Sequence, residues 1–321
     1  MDRVVRLLAL YTHSNRRRAI NRREFSSAVA ARATASLGSM RGSGAGPAPL
    51  NPRNAVDPLI GCALYLFVAL RSVAMADTAD EAAMAQNPVA SVISVPLENN
   101  TISLNSGPER AAVNELNIQP VIPFSLSSDW NIITRTILPV LSVPNPVPGE
   151  SRTNGTGDLL FSAFLSPSHA SGWIWGVGTA IQAPTHSNQQ LGNNNWGLGP
   201  TVVVLHLDKG SSWVYGVLVN DVRSISSRSG SHAYNNGLIQ PFVNYNLPQG
   251  WYLVSSPIVT VNWTARGSQQ WTVPAGGGVG KILHLGRLPV NLQLQGFYYA
   301  AAPTYGATWE VRTQVQFLFP K

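Results

Sequence analysis

His206 and Asp208 are the one pair in this 321-residue chain whose types and spacing suggest proton transfer. As i and i+2 on an extended segment they share a face, and an imidazole beside a carboxylate is the orienting half of a nucleophilic site. Such a site also needs a serine or cysteine presented to the ring, and the spacing nominates no particular serine. Neither a G-x-S-x-G elbow nor an H-E-x-x-H pair occurs. His169, His186 and His232 fall in turn-like stretches without metal-ligand spacing. Ala275 to Lys281 (AGGGVGK) resembles a phosphate-binding loop, but Ile282 stands where Ser or Thr would hold the metal ion, and no helical pattern follows. The simpler reading is a glycine stretch inside a strand. The sequence thus nominates no catalytic residue, no metal site and no cofactor.

The elements that would position these residues follow a period of two. Trp309 to Phe319 carries Trp309, Val311, Thr313, Val315, Phe317 and Phe319 on one side, and Glu310, Arg312, Gln314, Gln316 and Leu318 on the other. Successive side chains of a strand point to opposite faces, so this is a strand with an apolar and a polar flank. Strand-like runs fall near 89–98, 113–126, 130–143, 157–166, 172–183 and 195–208. Six more fall near 212–225, 236–247, 251–264, 270–285, 288–299 and 308–319. Twelve is an even number, as single-chain bacterial membrane barrels have. No apolar run after the leader reaches the roughly 18 residues of a membrane helix. Connections after even-numbered runs are tight, such as Pro248-Gln249-Gly250 and Gly286-Arg287, while most after odd-numbered runs are longer and polar. One tidy and one elaborated end is the arrangement of a membrane barrel. Trp130, Trp173, Trp213 and Trp251 open runs after tight turns, and Trp196, Trp271 and Trp309 open runs after long loops. Two levels of tryptophan match the two aromatic girdles of such a barrel. Pro96, Pro120, Pro123 and Pro139 sit inside expected strands, so bulges or strand ends are expected there.

Charge divides the chain. Residues 1–76 hold 11 of the 22 Lys and Arg and 3 of the 15 Asp and Glu, which leaves 11 basic and 12 acidic residues in the remainder. The net charge of +7 therefore belongs to the leader, and a nucleic-acid footprint on the folded part is not supported. Leu59 to Leu70 is an apolar run preceded by Arg41 and Arg53 and followed by Ala74-Met75-Ala76, an A-x-A pattern. This reads as a signal peptide over 40–76, cut after Ala76, with Met40 as initiator and 1–39 as an over-extended start or leader. A lead-in at 77–86 and a barrel over 87–321 follow. Cys62, the single cysteine, falls in the leader, so disulfides and cysteine-based metal sites are excluded from the barrel.

Parity assigns the faces of an all-β, transmembrane, antiparallel up-and-down barrel of about twelve strands. Inward lie Asn117, Gln119, Asn131 and Arg135, then His206, Asp208, Gln240 and Asn244, and finally Gln293, Gln295, Glu310, Arg312, Gln314 and Gln316. Outward lie aliphatic residues, among them Ile132, Val203, Leu205, Val243, Val290 and Leu292. Charged residues make up only 12% of the chain, against about a quarter in soluble domains, so the polar flank is too neutral for a soluble surface. It suits the wall of a wet lumen, wider than in the smallest barrels and narrower than in porins. On that wall His206 with Asp208 reads first as a hydrogen-bonded lumenal pair.

Asn87 to Pro96 (NPVASVISVP), Leu116 to Pro123 (LNIQPVIP), Trp130 to Val140 (WNIITRTILPV), Gly172 to Gly178 (GWIWGVG), Trp196 to Pro200 (WGLGP) and the closing LFPK carry a resemblance. The chain resembles the bacterial outer-membrane family related to the meta-pathway phenol-degradation proteins. The resemblance covers about 87–321 and implies a β-barrel with a transport role in the outer membrane of a Gram-negative bacterium. No catalytic or substrate-binding residues are carried over from it. The glycines at 276–278 and the long leader depart from the family pattern. The functional expectation is a passive channel for small molecules, with outer-membrane lipids, a small solute and the barrel insertion machinery as partners. Phe317 and Phe319 would close the barrel and be read by that machinery. The alternatives are a lipid-modifying barrel hydrolase centred on His206 and a structural barrel with a plugged lumen.

Overall fold

The structure is a computed structural model and describes residues 78–105, 111–145, 151–169, 172–208, 210–226 and 231–320. The expectations for residues 1–76, including the cut at Ala74 and Ala76, lie outside the described residues. A helix, α1 (Thr78–Gln86), precedes the strands β1 (Ile93–Leu104), β2 (Ala111–Ile118), β3 (Val121–Ser125), β4 (Trp130–Val143), β5 (Thr153–Thr156), β6 (Leu159–Pro167) and β7 (Gly172–Ala183). Then come β8 (Gly197–Leu207), β9 (Trp213–Ser224), β10 (Asn235–Asn246), β11 (Trp251–Ser255), β12 (Val259–Asn262), β13 (Trp271–Leu285), β14 (Leu288–Ala301) and β15 (Ala307–Phe319). Three pairs of these, β2 with β3, β5 with β6 and β11 with β12, are interrupted halves of one strand, which gives twelve barrel strands.

Each of the twelve barrel strands pairs antiparallel with its sequence neighbour, and β1 pairs with β15 from Ile93↔Phe319 to Leu104↔Ala307. The sheet therefore closes on itself. Closure leaves no edge with unpaired backbone groups, the requirement for a sheet in hydrocarbon. Apart from β5, which lies before the run expected at 157–166, the expected strand positions agree with the observed ones except at the start. There the run expected at 89–98 is displaced, and β1 instead extends to Leu104. Its second half, Asn99 to Leu104, carries Ile102 and Leu104 on the same flank as Glu98 and Asn100, so apolar and polar residues do not separate by face.

Prolines are absorbed in specific places. Pro120 falls between β2 and β3, and Pro257 between β11 and β12. The β10 register, Ile239↔Val259 and Val243↔Ser255, sets Pro241 opposite Pro257, so two residues that lack an N–H share one unpaired rung. A register shift lies between Val273 and Pro274. Pro96 and Pro139 stay within their strands, where their carbonyls accept from Gln119 N at 2.9 Å and Gly157 N at 2.8 Å.

One face assignment inverts. Val203 and Leu205 are fully buried and pack with Val121, Ile133, Phe164, Val214, Leu218 and Phe242, which all point inward. Val202 is 40% exposed and looks outward. The β8 sequence TVVVLHL is apolar on both flanks, so parity alone had no contrast to work with, and the polar His206 and Asp208 pointed the wrong way. Their place is outside. A nitroxide on Val202→Cys should show high collision with oxygen dissolved in lipid, and one on Val203→Cys should show little, as read by power-saturation EPR in vesicles. The reverse pattern would restore the original face.

Candidate functional site

Inside the barrel, α1 and the residues after it enter from the short-turn end. Ala82 packs among the inward Tyr252, Val254 and Ile282. Glu81 meets His284 Nε2 at 3.0 Å, and Gln86 Nε2 donates to Asn246 Oδ1 at 2.8 Å. Val89 joins the cluster around Val203 and Leu205. Ser91 Oγ accepts from Asn131 Nδ2 at 3.1 Å. Residues 78–92, expected in part as a lead-in outside the barrel, thus occupy its short-turn mouth. Apolar residues on the inner flank of β8 and β9 follow from this, because they meet protein there and not water. Tyr252 also needs room. Gly280 lies opposite it in the ladder, and a Cβ at Gly280 would collide with the ring.

The long-loop end is closed differently. Ile102, Leu104, Val113, Leu141, Val143, Tyr299 and Ala307 converge on Leu191, which is 1% exposed at the tip of the β7–β8 loop. The buried Asp158 holds that loop. It accepts from Asn193 N at 2.8 Å and His186 N at 3.3 Å and meets His186 Nδ1 at 2.5 Å.

Between the two apolar ends runs a polar belt. Arg312 Nη2 and Nε reach Glu310 Oε1 at 2.9 and 3.1 Å, and Nε also donates to Asn100 Oδ1 at 2.9 Å. Glu98 lies 3.9 Å away. Arg312 Nη1 donates to Ser256 O at 2.9 Å, a carbonyl in the β11–β12 interruption two strands beyond β14, with the Phe297 ring 4.8 Å from the guanidinium. The side chain is a crossbar over the inner faces of β13 and β14. Tyr299 donates to Glu310 Oε2 at 2.5 Å. Amides extend the network: Gln295 accepts from Ser256, Tyr252 donates to Asn291, and Asn291 Nδ2 donates to Gln316 Oε1 at 2.9 Å. Gln314 Nε2 reaches the same Gln316 Oε1 at 3.4 Å, and Gln295 Nε2 donates to Gln293 Oε1 at 3.0 Å. Arg135 Nη2 donates to Gln119 Oε1 at 2.6 Å. Asn117 in the belt and Asn244, between Val214 and Val254 at the short-turn mouth, are buried, and their side-chain oxygens have no protein partner among the described residues. Buried polar atoms are nearly always satisfied, so these two are poised to accept from water or solute.

The structure thus places Asn117, Gln119, Asn131, Arg135, Gln240, Asn244, Gln293, Gln295, Glu310, Arg312, Gln314 and Gln316 on the inner flank. It sets Phe317 and Phe319 on the outer flank of the seam. His206 and Asp208 are a correction. His206 pairs in register with Trp173 and Tyr215, both exposed on the outer surface. Sequence reasoning missed Glu98, Asn100 and Tyr299. The polarity of Glu98 and Asn100 at a spacing of two was the available signal, masked because the stretch after Glu98 reads as a polar loop.

Residues 112–223, from β2 to β9, match the family model described as "Putative MetA-pathway of phenol degradation". Over that stretch, about a third of the chain, the protein is similar to the family of these phenol-degradation proteins. Among solved structures, it is similar to an outer membrane channel from Pseudomonas putida F1, with 17% identity, TM-score 0.52, and coverage of 71% of this chain and 94% of that one. That likeness concerns the fold. Weaker likenesses are to the CymD monoaromatic hydrocarbon channel (10% identity, TM-score 0.39, 74% and 92% covered) and to a Salmonella typhi outer membrane phospholipase (14%, 0.37, 71% and 91%). No curated protein matches by sequence.

The crossbar makes a stability prediction. Arg312→Gln leaves Glu310 and Glu98 buried without their cation and should cost about 3–5 kcal/mol. Adding Glu310→Gln should return most of that loss. Urea unfolding of the barrel in lipid vesicles measures both, and a fully additive double variant would contradict the coupling.

Proposed function

We propose that the protein is a passive outer-membrane channel for small uncharged solutes, with phenol-like molecules as the substrate class. The observation that supports this reading most is the pair of buried, unpaired amide oxygens of Asn117 and Asn244 on the inner flank. A purely structural barrel gains nothing from unsatisfied polar atoms, each of which costs about 1–3 kcal/mol when left dry. A water-holding compartment explains them. The lumen runs from apolar to polar to apolar, and a molecule with a ring and a hydroxyl is complementary to each zone in turn. That substrate class also agrees with the description of the family. The charges of the belt are held in ion pairs, because Arg312 lies against Glu310 and Glu98. A free ion would have to compete with those pairs and shed its own hydration. In this orientation the short turns and both ends of the barrel chain face the periplasm, and the long loops face outward.

A lipid hydrolase on the same barrel would need a serine beside His206. That ring lies between Trp173 and Tyr215, with Asp208 as its polar neighbour. The channel reading assigns no chemistry to the barrel.

Swelling of vesicles that contain the purified, folded protein should occur in small uncharged polyols, with phenol as a competitor. Absence of swelling in every small solute would defeat the proposal. The two apolar closures act in series, so removing residues 78–90 or replacing Leu191→Gly should each raise planar-bilayer conductance modestly. The combination should raise it several-fold over either alone. Full conductance from one change would show that the other end is not a barrier.

A further inference from the structure

The lipid-facing surface near the short-turn end carries an arrangement that the channel does not use. Trp173, His206 and Tyr215 lie side by side on three adjacent strands. The imidazole and the Tyr215 ring are nearly parallel, 18° apart at 5.3 Å, and Trp173 stands at 72° and 89° to them. The three rings form the corner of an open box. Trp173 is 58% exposed, so the box faces outward. Asp208 stands at its lip, two residues beyond His206 and just before the short turn to β9, with its Oδ2 3.5 Å from His206 Nε2. That separation is too long for a strong hydrogen bond.

A carboxylate among the outer aromatics needs a partner. Aromatic girdles sit at the level of the lipid headgroups, where phosphates make an added negative charge unfavourable unless a cation meets it. Aromatic faces attract ammonium groups, and a carboxylate at the rim adds an ion pair. We infer that Trp173, His206, Tyr215 and Asp208 form a binding site for the ammonium of a phosphatidylethanolamine headgroup. The headgroup is the occupant because the box opens away from the lumen and toward the membrane boundary. Its charge also fits, since a zwitterion sets an ammonium beside Asp208 and keeps its phosphate on the far side. An anionic headgroup without an amine, such as phosphatidylglycerol, has nothing to offer the carboxylate. The inference is independent of what passes through the lumen.

The test reconstitutes the full chain in nanodiscs of equimolar phosphatidylethanolamine and phosphatidylglycerol. Lipid retained after mild extraction is then counted by native mass spectrometry. The wild type should retain phosphatidylethanolamine in excess. Asp208→Asn should lower that excess by about threefold, the scale of an exposed ion pair, because the aromatic rings remain. Retained phosphatidylglycerol should not change. Asp208 is an exposed side chain, and the heat-modifiable gel mobility of folded barrels confirms that the variant is folded. Equal retention of both lipids by the wild type would overturn the site. So would an excess that survives Asp208→Asn, including the case in which Trp173→Leu alone reduces it, because that pattern describes a general aromatic belt.

Discussion

The constraint that governs this molecule is that no backbone N–H or C=O can be left unpaired against lipid. A sheet meets it only by closing, and here closure depends on the seam between β1 and β15, the first and last strands of the barrel. The seam explains why the most regular two-sided strand in the sequence is the last one. Trp309, Val311, Val315, Phe317 and Phe319 face outward along it, while Glu310, Arg312, Gln314 and Gln316 face inward. The same constraint bears on three of the prolines. Each removes a donor, and the chain places Pro120 and Pro257 in strand interruptions and Pro241 opposite Pro257, so that missing donors coincide instead of accumulating.

Once the outer flank is committed to lipid, the inner flank decides function. Its polarity is uneven. At the short-turn mouth it is aliphatic because α1 and Val89 fill the space, and at the long-loop mouth it is aliphatic because Leu191 caps it. Only between them do charges and amides dominate, and they are organised around Arg312. A guanidinium buried this deeply is tolerable only with carboxylates and carbonyls on nearly every donor, and Glu310, Asn100, Glu98 and Ser256 supply them. The crossbar also ties β15 to the interrupted strand β11–β12, so the polar belt braces the wall at one of its weaker places.

Most of the architecture was legible in the sequence because the alternation of apolar and polar residues is strong wherever one flank meets lipid and the other meets amides, as in β14 and β15. Tryptophans and turn lengths then gave the two ends. Legibility failed where that contrast vanished. In β8 both flanks are aliphatic, since the inner one packs against the segment that enters the mouth, and parity sets His206 inside although it lies among the outer aromatics. In β1 the inner flank mixes Glu98 and Asn100 with Ile102 and Leu104, and half of the strand read as a loop. The belt residues could be named from parity, but not their partners. The reach of Arg312 to Ser256 depends on a strand interruption that no local pattern encodes.

All nine tryptophans, from Trp130 to Trp309, lie on the outer side of the barrel or in its loops, at two levels. This makes tryptophan fluorescence the most direct measure of which flank lipid wets. In vesicles of lipids brominated near the headgroup, most of the emission should be quenched, while aqueous iodide should reach only the loop tryptophans. Emission that is indifferent to brominated lipid, from a folded protein that stays monomeric without detergent, would contradict the account at its root.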